Sequence, residues 1–165
     1  MKKTLFGLLT VSMVLVLACK SAPPAEPEAP PAAPTEYTQE NANADFEKLY
    51  SQYEGKIILE GATPYTVIRG DSLSRIANTY YGSANNYGYF FPLIVMASDT
   101  PVPDPDMIDI GMQLTVPDLK RNLDNPEARA AIKAFLKDVA LIYNRKNNLR
   151  SASIELNLIA LADSL

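Results

Sequence analysis

Residues 65–83 read Tyr65-Thr66-Val67-Ile68-Arg69-Gly70-Asp71-Ser72-Leu73-Ser74-Arg75-Ile76-Ala77-Asn78-Thr79-Tyr80-Tyr81-Gly82-Ser83. Alternation at Tyr65 and Val67, extending to Ile68, predicts a short strand, because successive strand side chains point to opposite faces. Leu73, Ile76, Ala77 and Tyr80 then recur at three- and four-residue spacing, which gives a helix one apolar face. Asp71 or Ser72 is placed to cap that helix, with capping the main role expected of Asp71, and Gly82 to end it. A second helix is expected over residues 91–97, with Pro92 in its first turn. A proline-rich, acidic loop runs over residues 98–109, and Leu114 and Val116 mark a second strand closed by Pro117. The order is strand, helix, helix, strand, which predicts an α+β unit.

Both flanks of this unit read as helical. Phe46, Leu49, Tyr50 and Tyr53 form an apolar face on a helix expected over residues 44–53, with Asn43 as cap and Gly55 as stop, and residues 56–60 lead on in extended form. Downstream, Asn125-Pro126 opens a helix whose face is Ile132, Phe135, Leu136, Val139 and Ile142, running to about residue 144. A second helix over residues 153–162 carries Ile154, Leu156, Leu158, Ile159 and Leu161, with Arg145, Lys146 and Arg150 between the two. This hairpin either folds onto the central unit and the 44–53 helix or presents a docking surface for a protein partner.

The first eighteen residues have the pattern of an exported protein. Lys2 and Lys3 precede an apolar run from residue 5 to residue 17, too short for the ~20 residues of a spanning helix and suited to a signal peptide. Val16-Leu17-Ala18-Cys19 resembles the lipobox of bacterial lipoproteins, which implies cleavage after Ala18 and acylation of Cys19. Several acyl chains on one cysteine anchor permanently where a single chain would not. Prolines 23, 24, 27, 30, 31 and 34 then predict a disordered, polyproline-II-rich spacer reaching roughly 50 Å over residues 20–35.

Composition narrows the chemistry. The chain has 165 residues and a net charge of −4, two charges lower once Lys2 and Lys3 leave with a signal segment. An acidic chain without a basic stripe is a poor partner for nucleic acid. The sequence contains no histidine, which excludes Ser-His-Asp and Cys-His catalysis and the usual zinc sites. Its single cysteine excludes an intrachain disulfide. Of the common enzyme classes, carboxylate-only glycoside hydrolysis alone survives these absences. Asp99, Asp104, Asp106 and Asp109 lack the spacing of a calcium loop, so neither a metal nor a cofactor is expected.

Residues 65–117 closely resemble the LysM family, which opens with an aromatic-Thr-Val segment, then Gly-Asp-Thr/Ser-Leu, Ile-Ala and Tyr-Gly. Here these are Tyr65-Thr66-Val67, Gly70-Asp71-Ser72-Leu73, Ile76-Ala77 and Tyr81-Gly82. The family closes with Asn-Pro-Asp-Leu-Ile, Pro-Gly-Gln and Leu-x-Ile-Pro; this chain has Asp104-Pro105-Asp106-Met107-Ile108, Ile110-Gly111-Met112 and Leu114-Thr115-Val116-Pro117. Ser98, Ile110 and Met112 depart from the family's usual Asn, Pro and Gln. The resemblance implies a small βααβ domain over residues 64–118, after a signal peptide (1–18), a lipidated linker (19–42) and a short helix with its connection (43–63), and before a helical hairpin (124–165).

It also implies binding of polymers containing N-acetylglucosamine, peptidoglycan in a bacterium, in a shallow groove between two loops. Carried over, one wall is Gly70, Asp71, Ser72 and Leu73; the other is Asp106, Met107 and Ile108, with Ile110 nearby. Leu73, Ile76 and Ile108 also read as core. Tyr80, Tyr81, Tyr87 and Tyr89, with Phe90 and Phe91, read either as helix packing or as a sugar-stacking platform. The expected function is therefore a non-catalytic lipoprotein of the cell envelope that holds glycan, anchored to a membrane through Cys19. The alternative is a protein-interaction lipoprotein, with a LysM fold that does not bind, acting through its C-terminal helices.

Overall fold

The computed structural model describes residues 36–165. The signal peptide, Cys19 and most of the linker lie outside the described residues. The α+β expectation holds, with one small antiparallel sheet among helices. In chain order the elements are α1 (Gln39–Tyr53), β1 (Thr63–Thr66), α2 (Leu73–Tyr81), a 3-10 helix (Ala84–Phe90), α3 (Phe91–Ala97), β2 (Gln113–Val116), α4 (Leu119–Asp124), α5 (Pro126–Lys146) and α6 (Leu149–Asp163).

Strand β1 pairs with β2 in the register Thr63 with Val116 and Tyr65 with Leu114. Val67 lies one residue beyond β1, and its N–H donates to the Met112 carbonyl at 3.0 Å while its carbonyl accepts from Gly111 N–H at 2.8 Å. The pairing therefore continues to the mouths of both loops. Helix α3 packs on β2 and on α2, burying Leu93, Ile94 and Val95 against Ile76, Leu114 and Val116 in the core. At the end of α3 the Ser98 hydroxyl donates to the Ile94 carbonyl at 2.6 Å and accepts from Thr115 N–H at 2.9 Å. A serine thus serves where the family usually has Asn, stitching the helix to the strand.

Several boundaries differ from expectation. Helix α1 begins at Gln39, inside the expected linker, and Thr38 rather than Asn43 caps it, exchanging hydrogen bonds with Asn41. Helix α6 begins at Leu149 rather than residue 153, capped by Asn148 in the same reciprocal manner with Ser151. In both, the first turn precedes the densest apolar spacing, so periodicity sees the helix only after it has begun. The 3-10 helix and α4 have no counterpart in the expected elements. The stretch over residues 56–60 forms no strand; the buried Asn122 amide of α4 holds it instead, bonding both the N–H and the carbonyl of Ile58 at 2.8 and 2.9 Å.

The C-terminal hairpin is folded down. Helix α5 packs on α1, α3 and α4, and α6 packs on α5 and the 3-10 helix. Phe46, Tyr50, Tyr53, Phe135 and Tyr143 share one aromatic cluster with Phe91, so the hairpin and the βααβ unit have a common core. Leu141, Leu149, Leu156 and Ile159 nevertheless stay exposed on its outer side.

Candidate functional site

Two loops meet beside the end of the sheet. The first, from Ile68 to Leu73, is built from its own neighbours. Gly70 takes φ +92°, a conformation that suits glycine. The Asp71 carboxylate accepts from the Tyr65 hydroxyl at 2.7 Å and from Ile68 N–H at 2.9 Å. The cap of α2 is Ser72, whose hydroxyl accepts from Arg75 N–H at 3.3 Å. Asp71 is thus not the cap it was expected to be; its side chain folds back to close the turn. Its bond to the Tyr65 phenol raises that phenol above its ordinary value. Arg75 Nη1 donates to the Gly70 carbonyl at 2.7 Å. That carbonyl keeps one lone pair for a ligand.

The second loop, residues 98–112, draws its support from far away in sequence. Asp104 is fully buried. Its carboxylate accepts from Lys146 of α5 at 2.5 and 2.7 Å and from Gln39 of α1 at 2.6 Å. It also accepts from Asp106 N–H at 2.9 Å, fixing the Pro105 turn. Lys146 reaches Asp106 as well, at 2.9 Å, and its ammonium lies over the rings of Phe46 and Tyr143. Burial, with Asp106 and Asp104 nearby, drives the Tyr143 phenol far above its usual range; burial with the same two aspartates does so for Tyr50. Asp104 and Asp106 are therefore an anchor for α5. Among the described residues, no group of three or more His, Cys, Asp or Glu is arranged to hold a metal ion.

The eight residues assigned to the two walls separate into distinct surroundings. Ser72, Leu73 and Asp106 line a cavity of about 430 Å³. Leu73 is only 2% exposed, so it belongs to the core as well as to the cavity wall. Ile108 is half-buried against the core. Gly70 is exposed and Asp71 half-exposed, both outside the cavity. Met107 and Ile110 project into solvent, 57% and 67% exposed, and Ile68 of the first loop is 60% exposed. Ile68 and Ile110 are the immediate chain neighbours of the Val67–Gly111 hydrogen bond. Alternation in the sequence marks Ile68 only as a strand residue. Its position just past the pairing, where the chain turns away, puts it on the site.

The aromatic residues serve packing more than display. Tyr65 meets Tyr80 edge-on at 5.9 Å, and Tyr81 and Tyr87 meet Phe90 edge-on at 6.4 and 5.6 Å. Tyr89 and Phe91 line the cavity. Arg150, Ser153 and Ile154 of α6 complete it, and their part had no signal in the sequence.

A two-stranded sheet with two helices on it and a pair of loops at its end makes a small βααβ module. Residues 65–88 match the LysM domain, and the chain contains a LysM domain. LysM domains are carbohydrate-binding, non-catalytic modules that generally bind N-acetylglucosamine glycans such as peptidoglycan. Two curated proteins from two strains of Mycobacterium tuberculosis, each named an esterase, are 39% identical over 67 residues. The match covers 40% of this chain and 13% of each of those proteins. No solved structure matches the chain.

Proposed function

We propose that the protein is a non-catalytic lipoprotein of the bacterial cell envelope that holds peptidoglycan through its LysM loops. The observation that carries this reading is the direct hydrogen bonding of Val67 to Gly111 and Met112, which holds two loops together with exposed Ile68, Met107 and Ile110 on them. Exposed apolar side chains beside free backbone groups suit the acetyl methyls and amides of N-acetylated sugars. Anchoring through Cys19 and the proline-rich spacer would confine the module near the wall and raise its effective concentration there. The match covers 13% of each protein named an esterase, and a serine esterase of the usual kind needs a histidine base that this sequence lacks.

The test is co-sedimentation of the full chain, held in mild detergent, with purified peptidoglycan sacculi. The wild type is expected to pellet, and a Met107→Asp, Ile110→Asp variant to stay in the supernatant with at least tenfold weaker binding. Both positions are exposed, so the variant keeps its fold. Equal pelleting of the two would overturn the placement of the site. Anchoring is tested separately: Cys19→Ser is expected to abolish incorporation of labelled palmitate, and continued incorporation would refute it.

A second reading is supported by the hairpin's outer side, where Leu149 is 95% exposed and Leu141 and Leu156 are also open. There the protein recruits a protein partner through α5 and α6. Partner capture that survives the loop variant but is lost in Leu141→Asp, Leu156→Asp would favour it.

A further inference from the structure

The cavity beside the LysM loops has a wall that neither loop supplies. Its volume of about 430 Å³ falls within the ~300–1,000 Å³ typical of small-ligand sites. One side is the start of α2, another is Pro105 and Asp106, and the third is α6, contributing Arg150, Ser153 and Ile154. Its lining combines the hydroxyl-bearing Ser72, Ser74 and Ser153 with the apolar Phe91 and Ile154. That mixture matches a sugar ring, which has a rim of hydroxyls and an apolar face.

Arg150 adds a charge preference. Its Nη2 lies 3.3 Å from Asp106 Oδ1, and its side chain is 72% exposed. A guanidinium has five N–H donors, so one long contact leaves most of them free. Lys146, at 2.9 Å from Asp106, is shared with Asp104, so Arg150 supplies the second positive charge of the cluster while most of its donors still face solvent. Arg150 can therefore turn its planar fork to an incoming carboxylate and take it with two parallel hydrogen bonds.

We propose that this three-walled cavity is a subsite for a sugar residue bearing a carboxylate, with Ser153 and Ile154 of α6 against the ring and Arg150 receiving the acid. It rests on the glycan-binding reading above and extends it. It commits the protein to an acidic amino-sugar polymer over a neutral one. The carboxylate is either an ether-linked acid on the sugar itself or the free acid of a peptide attached to it.

Calorimetry on the full chain in mild detergent at low salt tests this with three probes. They are a neutral N-acetylglucosamine tetramer, an N-acetylglucosamine–N-acetylmuramic acid disaccharide, and the same disaccharide carrying its peptide. At least one acidic probe is expected to bind the wild type fivefold or more tightly than the neutral one. Arg150→Gln should erase that preference. Ser153→Trp, which fills the cavity, should weaken all three by at least tenfold. Arg150 and Ser153 are both exposed, and unchanged melting temperatures would show that the variants fold. Preference for both acidic probes places the acid on the sugar; preference for the peptide-bearing probe alone places it on the peptide. Wild-type binding that ignores Ser153→Trp, or a preference that survives Arg150→Gln, would overturn this subsite and leave the LysM reading intact. No binding of any probe by the wild type would overturn both.

Discussion

The two loops of the site do similar work and are held in opposite ways. The first closes on itself: Asp71 reaches back three residues to Ile68 and six to Tyr65, and Arg75 reaches back five to Gly70. The second is pinned by Lys146, 42 residues downstream of Asp104, and by Gln39, 65 residues upstream. The first loop needs only the LysM stretch. The second needs the helices around it, so α1 and α5 support the site from behind.

The largest test of that contrast is alkaline pH. Tyr50 and Tyr143 lie under the second loop with phenols raised by burial, and Tyr81 is raised the same way at the end of α2. The unfolded chain releases these protons near pH 10 while the folded chain keeps them. Their contribution is therefore fully present below pH 10 and withdrawn above it, by about 1.4 kcal/mol per pH unit for each such phenol. Cooperative unfolding is expected above pH 10, with phenolate absorbance from these residues rising in the same step as circular dichroism is lost. Smooth titration in a chain that stays folded would show that the aromatic cluster is open to solvent.

Next in size is Lys146→Met. It strands the buried Asp104 carboxylate without its cation, which costs about 3–5 kcal/mol for a buried pair broken on one side. Denaturant unfolding reads this directly. A loss below about 1 kcal/mol would mean that the Pro101–Pro105 turn holds itself, and the contrast between the loops would collapse.

The smallest effect is expected at the first loop. Asp71→Ala removes two hydrogen bonds, one exposed and one part-buried, at a cost of about 1 kcal/mol. It should also lower the Tyr65 phenol back toward 10, since the bond to Asp71 is the main cause of its rise. NMR titration of Tyr65 would detect the shift, and an unchanged phenol would refute the bond.

The same contrast explains what the sequence made legible. The range of α3, Phe91–Ala97, and the start of α5 at Pro126 match expectation because a proline in the first turn marks each locally. The cap at Ser72 and the stop at Gly82 were equally local. Helices α1 and α6 were read short because their first turns stand partly in solvent, Leu149 at the extreme, so the apolar spacing starts late. The two loops that meet at the end of the sheet were readable from motif residues. Lys146, Arg150 and Ser153 were not, because a polar side chain on a helix carries no sign of which distant loop it will meet.

Hydrogen exchange of the full chain with and without a soluble peptidoglycan fragment tests the central claim most directly, since it reads both loops at once. Slower exchange is predicted in residues 67–73 and in residues 104–112 together, on one binding curve. Slowing confined to the outer face of α5 and α6, or absent from both loops, would contradict a glycan site built from two loops and held by the helices behind them.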